Sequence, residues 1–174
     1  MSALGYALAE HVLDAADHGV PQHRVRLYVV ATRSIAPVRL KLPRRPHVAA
    51  PVDWDSGSWA DIEREGRAES TIARIAAGRA RFGDRFLTPY YGSGSGETGR
   101  SADRPLGTVT TRDRWAAVNG GRMRMLTVDE YRRAMGFPAS YIVPSHPKKL
   151  GVHLLGNAVC PPVVTDILEA LDAA

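Results

Sequence analysis

The chain opens with two apolar runs, Tyr6 to Leu13 and Arg24 to Thr32, and the second, RVRLYVVAT, is rich in β-branched and aromatic residues. Such runs are typical of strands, and the turn-forming segment ADHGVPQHR between them predicts an antiparallel pair. The stretch from Leu27 to Ala31 is so continuously apolar that it would also fit inside a larger sheet, whose other strands would have to come from elsewhere.

The middle of the chain alternates between irregular and periodic stretches. From Ala36 to Gly57 the periodicity disappears, which predicts an irregular connection over the surface. From Asp61 to Arg81 apolar residues recur at helical spacing among charges, which predicts an amphipathic helix interrupted at Gly66. Three strands are expected after this helix: Phe86 to Tyr91, Gly107 to Thr111 and Arg114 to Val118.

Two helices are predicted near the end of the chain. Thr127 and Glu130 have the spacing of a capping box, so a helix is expected to start there and to stop near Met135. A second helix is expected to start at the pair Pro161 and Pro162, where missing amide donors cost little. Its apolar stripe must dock on a neighbouring element and consists of Val163, Val164, Ile167, Leu168 and Leu171.

Length and composition narrow the class of protein. The 174 residues, 44% of them apolar and 24% charged, are enough for one domain with a sizeable core. No apolar run approaches the roughly 20 residues of a membrane span, and the start lacks the pattern of a signal peptide. The one cysteine, Cys160, rules out an internal disulfide and a cysteine-based zinc site, so we expect a reducing, cytoplasmic environment and no membrane.

The charge favours nucleic acid as a partner. The formal net charge is +5, and the excess comes mostly from arginine, whose planar fork suits phosphates and guanine edges. The six histidines show no ligand spacing, so no metal is expected. Gly94, Gly96 and Gly99 form a G-x-G-x-x-G string, but no helical stripe follows it, so a mobile loop that could touch DNA is favoured over a dinucleotide site.

Two further strings are more demanding. In GVPQHRVR the residues Gln22, Arg24 and Arg26 alternate, so both guanidinium groups should emerge on one face at the start of a strand. They either form surface salt bridges or grip a phosphate or a polar base edge. In GNAVCPPVV, Asn157 either caps the last helix or offers its amide to a ligand there. Cys160 is interpreted as a small, semi-buried residue rather than a reactive thiol.

Together these strings resemble the C-terminal part of a DNA (cytosine-5)-methyltransferase. The family's eighth motif, a Pro-Gln followed by Arg-x-Arg, matches GVPQHRVR. Its tenth motif matches GNAVCPPVV at Gly156, Asn157, Ala158 and Val159. Its ninth motif resembles RMLTVDEYRRAMGFP, with Arg132 and Met135 as departures. The matching ninth-motif positions are Arg124, Leu126, Thr127, Glu130, Arg133, Gly136, Phe137 and Pro138.

The resemblance implies an α/β fold in three parts. Residues 1–35 would supply the last antiparallel strands of a Rossmann-like methyltransferase sheet. Residues 36–140 would form a small mixed α+β target-recognition domain, and residues 141–174 would return to the sheet with a C-terminal helix.

The resemblance also implies a reaction and a site. A methyl group would pass from S-adenosylmethionine to C5 of a cytosine flipped out of double-stranded DNA. Arg26 would bond cytosine O2, Arg24 would hold a phosphate or the neighbouring catalytic carboxylate, and Gln22 would support the loop. Asn157 and Ala158 would line the methyl-donor side of the pocket. Base-edge and backbone contacts would come from Thr108, Thr110, Thr111, Arg112 and Arg114.

Three family features do not occur in this sequence: the Gly-rich S-adenosylmethionine loop, the Pro-Cys nucleophile and the Glu-Asn-Val acid. Cys160 cannot replace the nucleophile, because it falls in the tenth motif. The resemblance therefore implies an enzyme that needs a complementary N-terminal part. A non-catalytic DNA-binding or specificity module is the alternative. In either case the strand around Leu27 and the final helix are expected to expose apolar surface.

Overall fold

The computed structural model describes residues 4–33, 36–90 and 99–173. Strands β1 (Ala7–Asp14) and β2 (Val25–Thr32) form an antiparallel two-stranded ribbon, in which Ala7 pairs with Thr32 and Asp14 with Val25. This confirms the predicted pair. A short 3-10 turn, Ala15–His18, follows β1 and ends at Gly19, whose φ of 76° favours glycine.

The second sheet has five antiparallel strands in the order β3-β7-β6-β4-β5. Residues 36–59 contain no helix or strand, in agreement with the predicted irregular connection. The strands are β3 (Ala60–Asp61), β4 (Arg85–Pro89), β5 (Arg100–Ser101), β6 (Trp115–Asn119) and β7 (Arg122–Met125). A helix, α1 (Glu69–Phe82), covers one face of the sheet through Ile75, which packs with Phe86 and Val118.

Two local predictions were wrong in this part of the chain. The helix begins at Glu69 rather than at Asp61, because Gly66 has a φ of 78° and the chain turns there. Residues 107–111 are not a strand, although they are rich in threonine and valine. Their polar groups instead bond to the segment before β2, where the Val109 amide donates to Gln22. Tyr91, Gly94 and Gly96 lie outside the described residues.

Three helices complete the fold: α2 (Val128–Ala134), α3 (Lys148–Asn157) and α4 (Pro161–Asp172). The capping box at the start of α2 is confirmed, because Thr127 and Glu130 bond to each other's backbone amides. Helix α3 was not predicted, and Asn157 is its last residue rather than part of a turn. Asn157 does not cap α4, whose N-cap residue is Cys160.

One core joins the ribbon, the sheet and the last helices. Val30 of β2, Leu87 of β4 and Val163 of α4 belong to the same buried cluster. Residues Lys148–Asp172, 25 in all, have the length and apolar character that a membrane span would need. They form two helices broken between Asn157 and Pro161, however, and bury apolar residues in this core, as core helices of a globular protein do.

Candidate functional site

Gln22 is the central buried residue of the predicted site. Its side chain is fully buried, and its Oε1 accepts a hydrogen bond from the Val109 amide at 2.8 Å. Its Nε2 donates to the carbonyl of Ala134 at 3.2 Å and lies 2.8 Å from the sulfur of Met135. One amide therefore connects the segment before β2, the segment 107–111 and the end of α2.

Arg24 connects the two ends of the chain. Its guanidinium donates to the carbonyl of Val109 at 2.9 Å, of Gly156 at 2.8 Å and of Ala158 at 3.0 Å. The eighth and tenth motifs, which lie 132 positions apart, thus meet directly. Arg24 is 6% exposed, and within this chain its guanidinium holds three backbone carbonyl oxygens.

Arg26 is the arginine of the pair that stays accessible. It is exposed, and its one hydrogen bond among the described residues goes to the carbonyl of Val25 at 2.7 Å. Burial lowers the pKa of Arg24, and the positive charge of Arg26 lowers it further. Arg24 precedes β2 and is buried, whereas Arg26 lies within β2 and is exposed, so Arg26 is the arginine of the pair that a ligand can reach.

Asp14 holds the start of β2 in place. Its carboxylate accepts from the Arg24 amide at 2.8 Å and from Nδ1 of His23 at 2.8 Å. Burial would raise the pKa of Asp14, but the hydrogen bonds from His23 and from backbone amides outweigh it and lower the pKa. The loop between the strands is thereby tied to the end of β1.

Gly156 allows the segment 107–111 to approach the end of α3. A Cβ atom at this position would lie 2.4 Å from the carbonyl oxygen of Thr110, which is far too close. Asn157, the next residue, is exposed, and its Nδ2 lies 3.1 Å from Nε2 of His153. Ala158 is half-buried and uses its carbonyl on Arg24. Gly156 of the tenth motif therefore packs against residues 107–111, which include three of the DNA-contact candidates. The Asn157 amide stays at the surface.

Cys160 is not a nucleophile in this structure. It is fully buried beneath Gln22, and burial raises the pKa of its thiol to about 11. The thiol is therefore protonated at neutral pH. Cys160 was interpreted as small and semi-buried, and the structure buries it fully.

The five DNA-contact candidates differ in availability. Thr108 donates to the carbonyl of His23 at 2.8 Å, and Arg114 donates to the carbonyl of Tyr90 at 2.9 Å, so both hold backbone. Thr110 accepts a bond from the amide of Arg112 at 3.3 Å, which fixes a tight turn. Arg112 is exposed and Thr111 half-exposed beside it. The tip of this turn is the part of the segment that can contact another molecule.

A model of the C-5 cytosine-specific DNA methylase family matches residues 1–76 and 64–173. The chain belongs to this family. The match includes the eighth, ninth and tenth motifs, and Gln22 and Arg24 bring the first and last of these together.

The chain is also similar to one curated protein and, in its fold, to solved structures. The chain is 27% identical over 179 residues to the type II methyltransferase M.MspI of Moraxella sp., an alignment that covers 98% of this chain but 39% of that protein. The fold resembles the Entamoeba histolytica methyltransferase EhMeth, with a TM-score of 0.55, 18% identity and coverage of 99% of this chain and 55% of that one. It also resembles a Spodoptera frugiperda DNMT2 variant, with a TM-score of 0.54, 15% identity and coverage of 98% and 59%.

The structure also contains two charged clusters that the sequence did not predict. Asp166 of α4 is almost fully buried, accepts from Nδ1 of His18 at 2.7 Å and is held by both terminal nitrogens of Arg45. Glu130 forms a two-pronged pair with Arg124 at 2.7 and 2.8 Å and also accepts from the Asp53 amide. Both clusters fix the irregular connection 36–59. The ninth-motif position of Arg124 and Glu130 was the only sequence signal for either.

Proposed function

We propose that this region works in an enzyme that transfers a methyl group from S-adenosylmethionine to C5 of a cytosine flipped out of double-stranded DNA. The chain spans 39% of the length of the curated relative, so the reaction is proposed for the whole enzyme rather than for these residues alone. The observation that carries the proposal is the contact of Arg24 with Gly156 and Ala158, because it joins two family motifs into one place.

Arg26 is the residue of this region that we assign to the reacting base. An exposed guanidinium that spends one nitrogen on its own strand retains donors for cytosine O2. A positive charge at O2 favours negative charge that develops on the ring when a nucleophile adds to it. Arg24, with all three of its bonds on backbone carbonyls, acts as a positioning residue that keeps β2 against the end of α3.

Asn157 suits one wall of a methyl-donor site. S-adenosylmethionine, when bound, supplies an electrophilic methyl group on sulfur. The exposed amide of Asn157 stands beside Val159, whose side chain is 56% exposed, so the wall offers one polar and one apolar surface. Ala158 would contribute the backbone between them. The rest of that site would come from outside this region.

The ribbon is the surface that we expect to contact the rest of the enzyme. Alternate residues of β2 lie on one face with Val12 of β1, and their apolar side chains are exposed. The exposed fractions are 71% for Val12, 54% for Val25, 57% for Leu27 and 51% for Val29. Leu168 of α4 is exposed as well, at 56%. Such apolar patches mark interaction surfaces, which supports a catalytic part with the Pro-Cys nucleophile as the partner.

The three-part division proposed from the resemblance suits this assignment. Residues 1–35 and 141–174 would complete the methyltransferase sheet of the catalytic part. Residues 36–140 would form the target-recognition domain, which presents Arg112 and the neighbouring threonines to DNA.

The test is complementation. The chain is mixed with a methyltransferase part that carries the Pro-Cys motif, and transfer of labelled methyl groups to duplex DNA is measured. We expect activity only in the mixture. Arg26→Ala should lower the rate by a factor on the order of 10²–10³, as removal of one donor to a developing anion does. Arg39→Ala, an exposed arginine on the irregular connection, is the control and should have little effect.

Two outcomes would count against the enzyme. Equal rates for the Arg26→Ala and Arg39→Ala mixtures would remove Arg26 from the reaction. DNA binding by the chain without methyl transfer in any mixture would favour the non-catalytic specificity module instead.

A further inference from the structure

We propose that a pocket beside Tyr90, at one rim of the five-stranded sheet, binds a phosphodiester group of the DNA backbone. The inference rests on the proposed function, since it takes DNA as the substrate. The cavity has a volume of about 310 Å³ and lies where β4 and β7 end and β6 begins. The residues that line it include Ser58, Arg64, Arg67, Tyr90, Met123 and Arg124.

The pocket carries positive charge that the described residues do not compensate. Within the described ranges no aspartate or glutamate lines it. Arg124 is neutralised by Glu130, but the guanidinium of Arg64 makes no hydrogen bond or ion pair with the described part of the chain. Arg67 bonds only neutral acceptors, the sulfur of Met123 at 3.0 Å and the carbonyl of Asp61 at 3.1 Å. Two neighbouring arginines without a carboxylate partner suit an anion that both guanidinium groups can bind.

Two polar groups in the pocket also have poor partners. Nε of Arg67 is buried and has no hydrogen-bond partner among the residues that the structure describes, which is rare for a buried donor. The hydroxyl of Tyr90 is 3.5 Å from the sulfur of Met123, a weak acceptor. An oxygen atom of a phosphodiester would be a better acceptor for the Tyr90 hydroxyl than the sulfur is, and its charge would compensate the guanidinium whose Nε lacks a partner. A neutral ligand would satisfy the donors but would leave the two arginine charges unpaired.

The position of the pocket connects it to the DNA candidate segment. The Tyr90 amide donates to the carbonyl of Arg114 at 2.6 Å, and Arg114 in turn donates to the Tyr90 carbonyl at 2.9 Å. The turn that exposes Arg112 therefore leads directly to the rim that holds Tyr90. A DNA strand that contacts Arg112 can continue into the pocket. Phosphate contacts fix the position of a protein on DNA and carry no sequence information, so the pocket is expected to act as an anchor.

The experiment measures how DNA affinity depends on salt in the 174-residue chain. Arg64→Gln with Arg67→Gln is compared with Arg81→Gln with Arg122→Gln, a control that removes the same charge near the opposite rim, where β4 and β7 begin. The slope of log affinity against log salt should fall by about 0.9 for each phosphate that the variant no longer neutralises, and affinity near 0.1 M salt should fall by about an order of magnitude. The control should keep the wild-type slope, and the decrease should be the same for every duplex sequence.

The other possible results each contradict or support the phosphate pocket. Equal slopes for the two double variants would overturn the pocket. The proposal would also be wrong if inorganic phosphate shifted the NMR signal of Arg67 Nε while substitution of Arg64 and Arg67 left the DNA affinity unchanged. The pocket would then bind small anions rather than the DNA backbone. Should Arg67→Gln fail to fold by thermal unfolding, Arg64→Gln against Arg81→Gln gives the same test. The salt slope could depend on Arg64 and Arg67 while no complementation mixture transfers methyl groups. That result would contradict the proposed enzyme activity and still support the phosphate pocket.

Discussion

The ribbon and the five-stranded sheet are built from similar residues but bury them differently. Strand β4 buries four of its five residues and β6 buries four of five, whereas β2 buries one of its eight, Val30. Valine, leucine and tyrosine make up most of β2, so its composition is that of a strand buried on both faces. The sheet is closed by α1 on one face and by the main core on the other. The contrast indicates that the exposed face of the ribbon packs against another part of the enzyme, whereas the five-stranded sheet is already covered on both faces.

Polar contacts hold the ribbon where apolar packing does not. Asp14, Gln22 and Arg24 tie its connecting loop to β1, to the segment 107–111 and to α3. Such bonds are directional, so they fix the position of Arg26 without covering the apolar face of β2. The ribbon can therefore present both a reactive-site residue and a docking surface.

The largest expected effect comes from replacing one leucine by alanine in each region and comparing the two variants. Leu87→Ala in β4 should lower the free energy of unfolding by about 2–5 kcal/mol, because it leaves a cavity at a fully buried position. Leu27→Ala in β2 should change it by less than about 0.5 kcal/mol, because that side chain is 57% exposed. Denaturant unfolding of both variants measures the difference. Similar losses for the two would mean that β2 is covered in the isolated chain, and the contrast would fail.

The second prediction concerns the polar contacts between the regions. Arg24→Met keeps much of the side-chain volume but leaves the carbonyls of Val109, Gly156 and Ala158 without their donor. An unsatisfied buried polar group costs about 1–3 kcal/mol. Ala158 is only half-buried, so water can replace part of the loss at its carbonyl, and we expect a decrease of about 2–4 kcal/mol in the free energy of unfolding. Amide hydrogen exchange should also increase around Gly156. Arg39→Met is the matched control, and a decrease as small as the control's would show that Arg24 does not join the two regions.

Sequence patterns predicted the elements that local chemistry determines. The ribbon followed from two apolar runs, and α2 followed from Thr127 and Glu130. Helix α3 was missed because KKLGVHLLGN places two glycines among mixed residues. Residues 107–111 have the composition of a strand, but their bonds go to Gln22 and Arg24, which are 85 or more positions away. No local pattern can reveal a partner at that distance.

The same limit applies to the site. The motif identified Gln22, Arg24 and Arg26 as a group, and alternation placed the two arginines on one face. What separates their roles is burial, because Arg24 is covered by the end of α3 and Arg26 is not. That cover comes from Gly156 and Ala158 near the other end of the chain. The pocket at Tyr90 was missed for a related reason, since Arg64 and Arg67 precede α1, Tyr90 follows β4 and Arg124 belongs to β7.

The smallest expected effect is present near neutral pH, is lost at acid pH, and concerns Asp166, which ties α4 to the turn after β1. Burial would raise the pKa of this carboxylate, but the hydrogen bonds from Arg45 and His18 outweigh burial and lower it. A carboxylate with a lowered pKa stabilises the folded state above its unfolded pKa of about 3.9, and this stabilisation is lost as the pH falls through the folded pKa. In Asp166→Asn the charge is absent at every pH. The free energies of unfolding of wild type and variant should therefore differ most near pH 6 and converge as the pH falls below about 4.

The control for Asp166 is Asp17→Asn, which changes a more accessible aspartate on the same turn with a lowered pKa of its own. It should change the acid limb less, because the partners of Asp17, His47 and Arg44, lie at the surface. A gap between wild type and Asp166→Asn that stays constant from about pH 7 to about pH 3 would mean that the variant acts through packing alone, because a charge effect must disappear once the carboxylate is protonated. The ribbon's dependence on charged contacts would then have to be abandoned at this position.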